Sequence, residues 1–120
     1  MSLKNKRALY IGVNRSYTNP TAELNISIIG QIFNLSYYGP GYVNSYSLKK
    51  GIKNWINSKG KFDIIFTDSY IFEQERIRVR PKPFTGDYIK FCPKDYFQHS
   101  ESLQNFFLNY SGLKVLIANF

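Results

Sequence analysis

The sequence predicts an α/β fold: a Rossmann-like parallel sheet of about four strands with helices on both faces. Two observations lead there. Short, nearly continuous apolar runs, suited to strands buried on both faces, alternate with amphipathic stretches of helical period. Their order is strand, helix, strand, helix, strand, irregular segment, helix, strand, which is the order of right-handed βαβ units.

Ala8-Leu9-Tyr10-Ile11-Gly12-Val13, behind the basic lead-in Lys4-Asn5-Lys6-Arg7, is the first strand. After a polar loop, Asn19-Pro20 reads as an N-cap with proline at the first helical position. Leu24, Ile28 and Ile29 then supply the apolar stripe of a first helix, with Gly30 near its end. Residues 32–38 form the second strand, which closes in Gly39-Pro40-Gly41 with aromatics on either side. Leu48, Ile52, Trp55 and Ile56 fall at i, i+4, i+7 and i+8 of a second helix. Lys49, Lys50 and Lys53 lie opposite, and Gly60 supplies the C-cap. Phe62-Asp63-Ile64-Ile65-Phe66 is the third strand, closed by Thr67-Asp68-Ser69. In residues 73–95, Arg76, Arg78 and Arg80 alternate with Ile77 and Val79 like a strand, until Pro81-Lys82-Pro83 breaks it. Ser100 is placed to cap a helix bearing Leu103, Phe106, Phe107 and Tyr110, and Lys114-Val115-Leu116-Ile117-Ala118 is a last strand of the buried type.

At 120 residues and 43% hydrophobic content the chain is one domain, residues 1–120, with enough apolar material for a core. One cysteine, Cys92, excludes an internal disulfide, and one histidine, His99, leaves no cluster for a structural zinc. This composition fits a reducing cytoplasm. No apolar run approaches the ~20 residues of a membrane span. The net charge of +8 either attracts anionic partners (nucleic acid, phospholipid head groups at a membrane surface, or phosphorylated substrates) or is a solvated basic surface to which nothing binds. The chain stops straight after an apolar strand, where a doubly wound fold would add another helix. It is therefore expected to be the N-terminal part of something longer.

Ligands of parallel α/β sheets sit beyond the carboxyl ends of the strands. Those ends are residues 12–16, 39–42, 67–70 and 119–120. Gly12 stands alone, so the first loop is neither a dinucleotide fingerprint nor a phosphate-binding P-loop, and NAD and ATP are not expected. Nor does the first strand lead into an acidic pair, or the second into a flavin-type phosphate loop. The Gly39-Pro40-Gly41 corner either brings backbone N–H groups and tyrosine faces to a ligand, or is a β-turn whose tyrosines pack on the sheet edge. Asp68 either acts as a general base or caps the following turn. Arg76, Arg78, Arg80 and Lys82 are the candidate anion surface, or else a charged edge that discourages aggregation. Asp63 lies at the wrong end of its strand, and Cys92 has no thiolate-activating surroundings.

Taken in order, the opening strand 8–12, the Tyr38-Gly39-Pro40-Gly41-Tyr42 turn and the stretch Phe62-Asp63-Ile64-Ile65-Phe66-Thr67-Asp68 resemble the N-terminal half of GT-B glycosyltransferases. The likeness is to bacterial group 1 enzymes and their spore-protein-like relatives, and it covers residues 7–70. It implies two Rossmann-like domains facing across a cleft, of which this chain is the acceptor-side one. The nucleotide-sugar donor would then bind mainly to a C-terminal domain, with no bound metal or other cofactor, and this part alone would be inactive. By position, Asn14, Arg15, Gly39, Gly41 and Tyr42 would line the substrate cleft, with Asp68 the weak candidate for a catalytic base. Unlike better-known members, the chain has no glycine-rich loop after strand one. The competing expectation is a small basic module for nucleic acid or another polyanion, with nucleic acid the less expected of the two.

Overall fold

A computed structural model describes residues 3–12, 20–72 and 96–117, without the side chains of residues 20–23, 45, 69–70 and 96–100. The elements are β1 (Leu3–Ile11), α1 (Pro20–Ile32), β2 (Phe33–Tyr38), α2 (Ser45–Lys50), α3 (Ile52–Lys59), β3 (Ile64–Asp68), a 3-10 turn (Ser69–Phe72), α4 (Tyr96–Asn109) and β4 (Lys114–Ile117). The four strands form one sheet in the order β2-β1-β3-β4, with every neighbouring pair parallel. The expected α/β parallel-sheet architecture is therefore the one observed.

β1 lies inside the sheet and is buried on both sides from Ala8 to Ile11. Leu9 and Ile11, with Ile65 of β3, meet Leu48, Ile52, Leu103 and Phe107 of α2, α3 and α4. Ala8 and Tyr10, with Ile64 and Phe66, meet Ile29 and Ile26 of α1. Each large apolar side chain withdrawn from water in this way contributes about 1.5–3 kcal/mol.

Side-chain bonds fix the register of β1 against β3. At the amino end the Arg7 N–H donates to Asp63 Oδ2 at 2.8 Å, and the Asp63 N–H donates back to the Arg7 carbonyl at 2.8 Å. At the carboxyl end Thr67 Oγ1 donates to the Ile11 carbonyl at 2.7 Å. Asp63 thus has a structural role at the end of the sheet where no ligand site was expected.

Several boundaries differ from the sequence reading. The second helix is two helices, because Gly51, at φ +89°, turns the chain between Lys50 and Ile52. The inner face of α1 is carried by Ile29, whereas Leu24 and Ile28 are 59% and 48% exposed. The run of β-branched residues gives several plausible stripes, and packing against Tyr10 and Phe66 selects one. Gly30 lies near the end of α1 as expected, whereas Ser100 lies inside α4 without capping it. β4 is at the sheet edge with Val115 and Leu116 exposed, so an apolar strand was mistaken for a covered one.

Tyr38 enters the Leu9 side of the core, packs on Trp55 with ring centroids 5.1 Å apart, and donates its hydroxyl to the Ser47 carbonyl at 3.0 Å. Burial raises its hydroxyl above the ordinary value of 10.0. The folded state therefore holds this proton more tightly than the unfolded chain. The resulting stability is whole below pH 10.0 and is lost as pH rises through the raised value. Tyr38→Phe should cost about 1 kcal/mol at neutral pH. It should also flatten the fall of melting temperature between about pH 9 and 11. Parallel wild-type and variant curves over that range would contradict this account.

Candidate functional site

In the order β2-β1-β3-β4 the chain leaves β1 first to one side and later to the other, so the switch point lies at β1 and β3. What surrounds it follows from three close contacts. The Gly12 N–H, one residue past β1, donates to the Tyr38 carbonyl at 3.0 Å. Gly39, at φ +140°, passes so near that a Cβ built on it would stand 1.7 Å from the Gly12 carbonyl oxygen. No side chain fits there. Pro40 is fully buried, and Gly41 at φ +87° folds the chain back so that the Tyr42 and Val43 N–H groups donate to the Gly39 carbonyl at 3.0 and 3.2 Å.

The returning chain lays Tyr42 on Tyr37, with ring centroids 5.1 Å apart and planes within 22°. Tyr42 also meets Tyr10 edge-on at 6.3 Å. The Tyr10 hydroxyl in turn donates to Asp68 Oδ2. A row of Tyr37, Tyr42, Tyr10 and Asp68 therefore crosses the carboxyl ends of β2, β1 and β3. Gly41 is exposed at the rim and Tyr42 is half-buried, whereas Asp68 is only 3% exposed.

Four of the predicted site residues, Gly39, Gly41, Tyr42 and Asp68, come together here. Gly39 is required by the backbone of Gly12, which gives it a structural duty whatever else it does. The corner's tyrosines Tyr37 and Tyr42 pack at the sheet edge, as the β-turn reading has it, and its tip at Gly41 stays at the surface. The Asp68 carboxylate holds the Tyr10 hydroxyl, and any proton transfer at Asp68 would run beside that bond. Asn14, Arg15, Arg76, Arg78, Arg80, Lys82 and Cys92 lie outside the described residues, as does the side chain of His99. Among the described residues no group of three or more His, Cys, Asp or Glu is placed to hold a metal ion. None of their helices is long and apolar enough to cross a membrane.

Tyr10 was missed from sequence. Its only signal was a polar-tipped ring in a strand otherwise made of aliphatic residues, two positions before Gly12. A cleft of about 830 Å³ between the α2–α3 junction and α4 contains none of the predicted residues and lies in the helix layer.

Comparison with protein-family models, with curated proteins and with solved structures gives no match.

Gly39→Ala should cost about 3 kcal/mol or more, since backbone has to move, and Gly41→Val about 1–3 kcal/mol from its φ of +87°. Denaturant melts that rank these two the other way round would refute the geometry of the corner. Tyr10→Phe removes a donor from a buried carboxylate and should cost about 1–3 kcal/mol by the same measurement; a loss near zero would show that the bond does not matter to the fold.

Proposed function

We propose that the domain forms the acceptor side of a glycosyltransferase of GT-B organisation, which moves a sugar from a nucleotide-sugar donor to a sugar or polyanionic acceptor. One observation supports this above the others. The glycine-proline-glycine corner and Asp68 stand on the same rim of the parallel sheet, at the ends of the two strands that flank β1, beside the switch point. The exposed turn at Gly41 beside the half-buried ring of Tyr42 suits a hydroxyl-rich ligand, which packs the apolar face of a ring on a flat aromatic. The acceptor sits against that surface, and the donor is held mainly by a second domain across the cleft. Asp68 and Tyr10, both buried, brace the Tyr42 ring from behind that surface, and no metal takes part.

The second reading, a basic binding module, draws on the exposed Lys49, Lys50, Lys53, Lys59 and Lys61 of α2, α3 and the turn after them. These lysines lie on the helix layer and not at the rim, so the two readings concern different surfaces.

Residue-resolved NMR separates donor from acceptor. Titrating the ¹⁵N-labelled chain with a panel of mono- and disaccharides should move the amide resonances of Gly12, Gly39, Gly41 and Tyr42. UDP- and GDP-sugars alone should leave them in place. If nucleotide sugars shift the rim while no free sugar does, the acceptor-side assignment is wrong; if nothing shifts it, so is the site.

A further inference from the structure

The helix layer on the Leu9 side of the sheet holds a second concavity that plays no part in the rim. The 830 Å³ cleft is walled by Lys50, Lys53 and Asn54 on one side and by Glu101, Asn105 and Asn109 on the other. A smaller cleft of about 400 Å³, lined by Tyr46, Trp55 and Ser58, adjoins it, and Lys50 and Asn54 line both. Both volumes fall in the range of ~300–1,000 Å³ usual for ligand sites.

The hydrogen bonds already made restrict what these walls offer. Asn54 Nδ2 donates to the Lys50 carbonyl at 2.7 Å, and Asn109 Nδ2 donates to the Asn105 carbonyl at 2.9 Å. Those bonds hold the two amides in place and leave their oxygens as acceptors. Lys50 and Lys53 make no ion pair among the described residues; the Lys50 ammonium lies 5.1 Å from the Tyr46 ring centre. The groove thus presents two cations and one carboxylate among several amides and hydroxyls, with the rings of Tyr46 and Trp55 at one end.

That ratio selects the ligand class. A single nucleic-acid strand carries a charge every ~3.4 Å, and would set a row of phosphates against two lysines and the opposing Glu101. A chain rich in hydroxyls with widely spaced acidic groups matches better. Its hydroxyls pair with Asn54, Glu101 and Asn105, its acidic groups with Lys50 and Lys53, and the apolar face of a sugar ring with the exposed ring of Tyr46 beside Trp55. We propose that the joined clefts bind an anionic glycan whose acidic groups are separated by neutral sugars. This rests on the helix layer alone and is independent of the rim reading.

Trp55 is the single tryptophan of the chain, so its fluorescence reports on the groove directly. A hyaluronan octasaccharide, in which carboxylates alternate with neutral sugars, should shift Trp55 emission saturably. Two charge contacts should weaken that binding roughly tenfold between about 50 and 200 mM salt. Lys50→Glu/Lys53→Glu should lose at least tenfold in affinity with its circular dichroism unchanged. Asn105→Asp, which adds a carboxylate to the opposite wall, should lose about threefold or more and serves if the double variant misfolds. Absence of hyaluronan binding at low salt, equal binding of a neutral chitin oligosaccharide, or unchanged affinity in the variants would each overturn the proposal. Tighter binding of oligothymidylate than of hyaluronan would overturn it in favour of a nucleic-acid groove.

Discussion

A strand with no solvent face sets the terms for this molecule. Over Ala8-Leu9-Tyr10-Ile11 every side chain enters one of two cores, so β1 has to lie inside the sheet with helices over both surfaces. Neighbours on both sides follow, and because α1 returns on one surface while α2, α3 and α4 use the other, the connections part at β1. The carboxyl end of that strand becomes the switch point, and the Gly39–Gly12 contact closes one flank of it. Burial of four residues thereby decides where a site can be.

The rim is built for rigidity more than for reach. Tyr37, Tyr42 and Tyr10 spend much of their ring area on one another, and Asp68 is tied to the last of them. What is left at the surface is backbone at Gly41 and one side of Tyr42, held in a fixed relation to the strand ends. A ligand met by such a surface finds its partners already oriented and loses little affinity to their ordering. The helix-layer groove is a different kind of surface, made of long lysines and amides on separate helices.

Two strands were legible because burial on both faces leaves an apolar run, as over 8–11 and 64–66, whereas Phe33-Asn34-Leu35-Ser36 alternates as an edge strand does. Helix faces were harder. Leu24, Ile28 and Ile29 are equally apolar, and only the positions of Tyr10 and Phe66 across the interface decide which turns inward. β4 shows the opposite difficulty, since composition reports how apolar a strand is and not whether a neighbour covers it. The corner could be read because Gly39-Pro40-Gly41 admits few conformations. The contact that makes Gly39 obligatory could not, as it joins residues 27 positions apart through backbone atoms that every residue shares. Tyr10 and Asp68, 58 positions apart, meet for a similar reason: alternation places both on the α1 side of adjacent strands, a relation that exists only after the strands have paired.

The fastening of β1 to β3 by the reciprocal Arg7–Asp63 bonds at one end and Thr67–Ile11 at the other has a kinetic side. A parallel pair brought together across more than fifty residues meets many near-native alignments on the way. Sliding by one position would turn Leu9 and Ile65 toward the wrong helices and would also part both fasteners. A misaligned pair therefore forfeits its core contacts together with two hydrogen bonds, one to an exposed carboxylate and one from a buried hydroxyl.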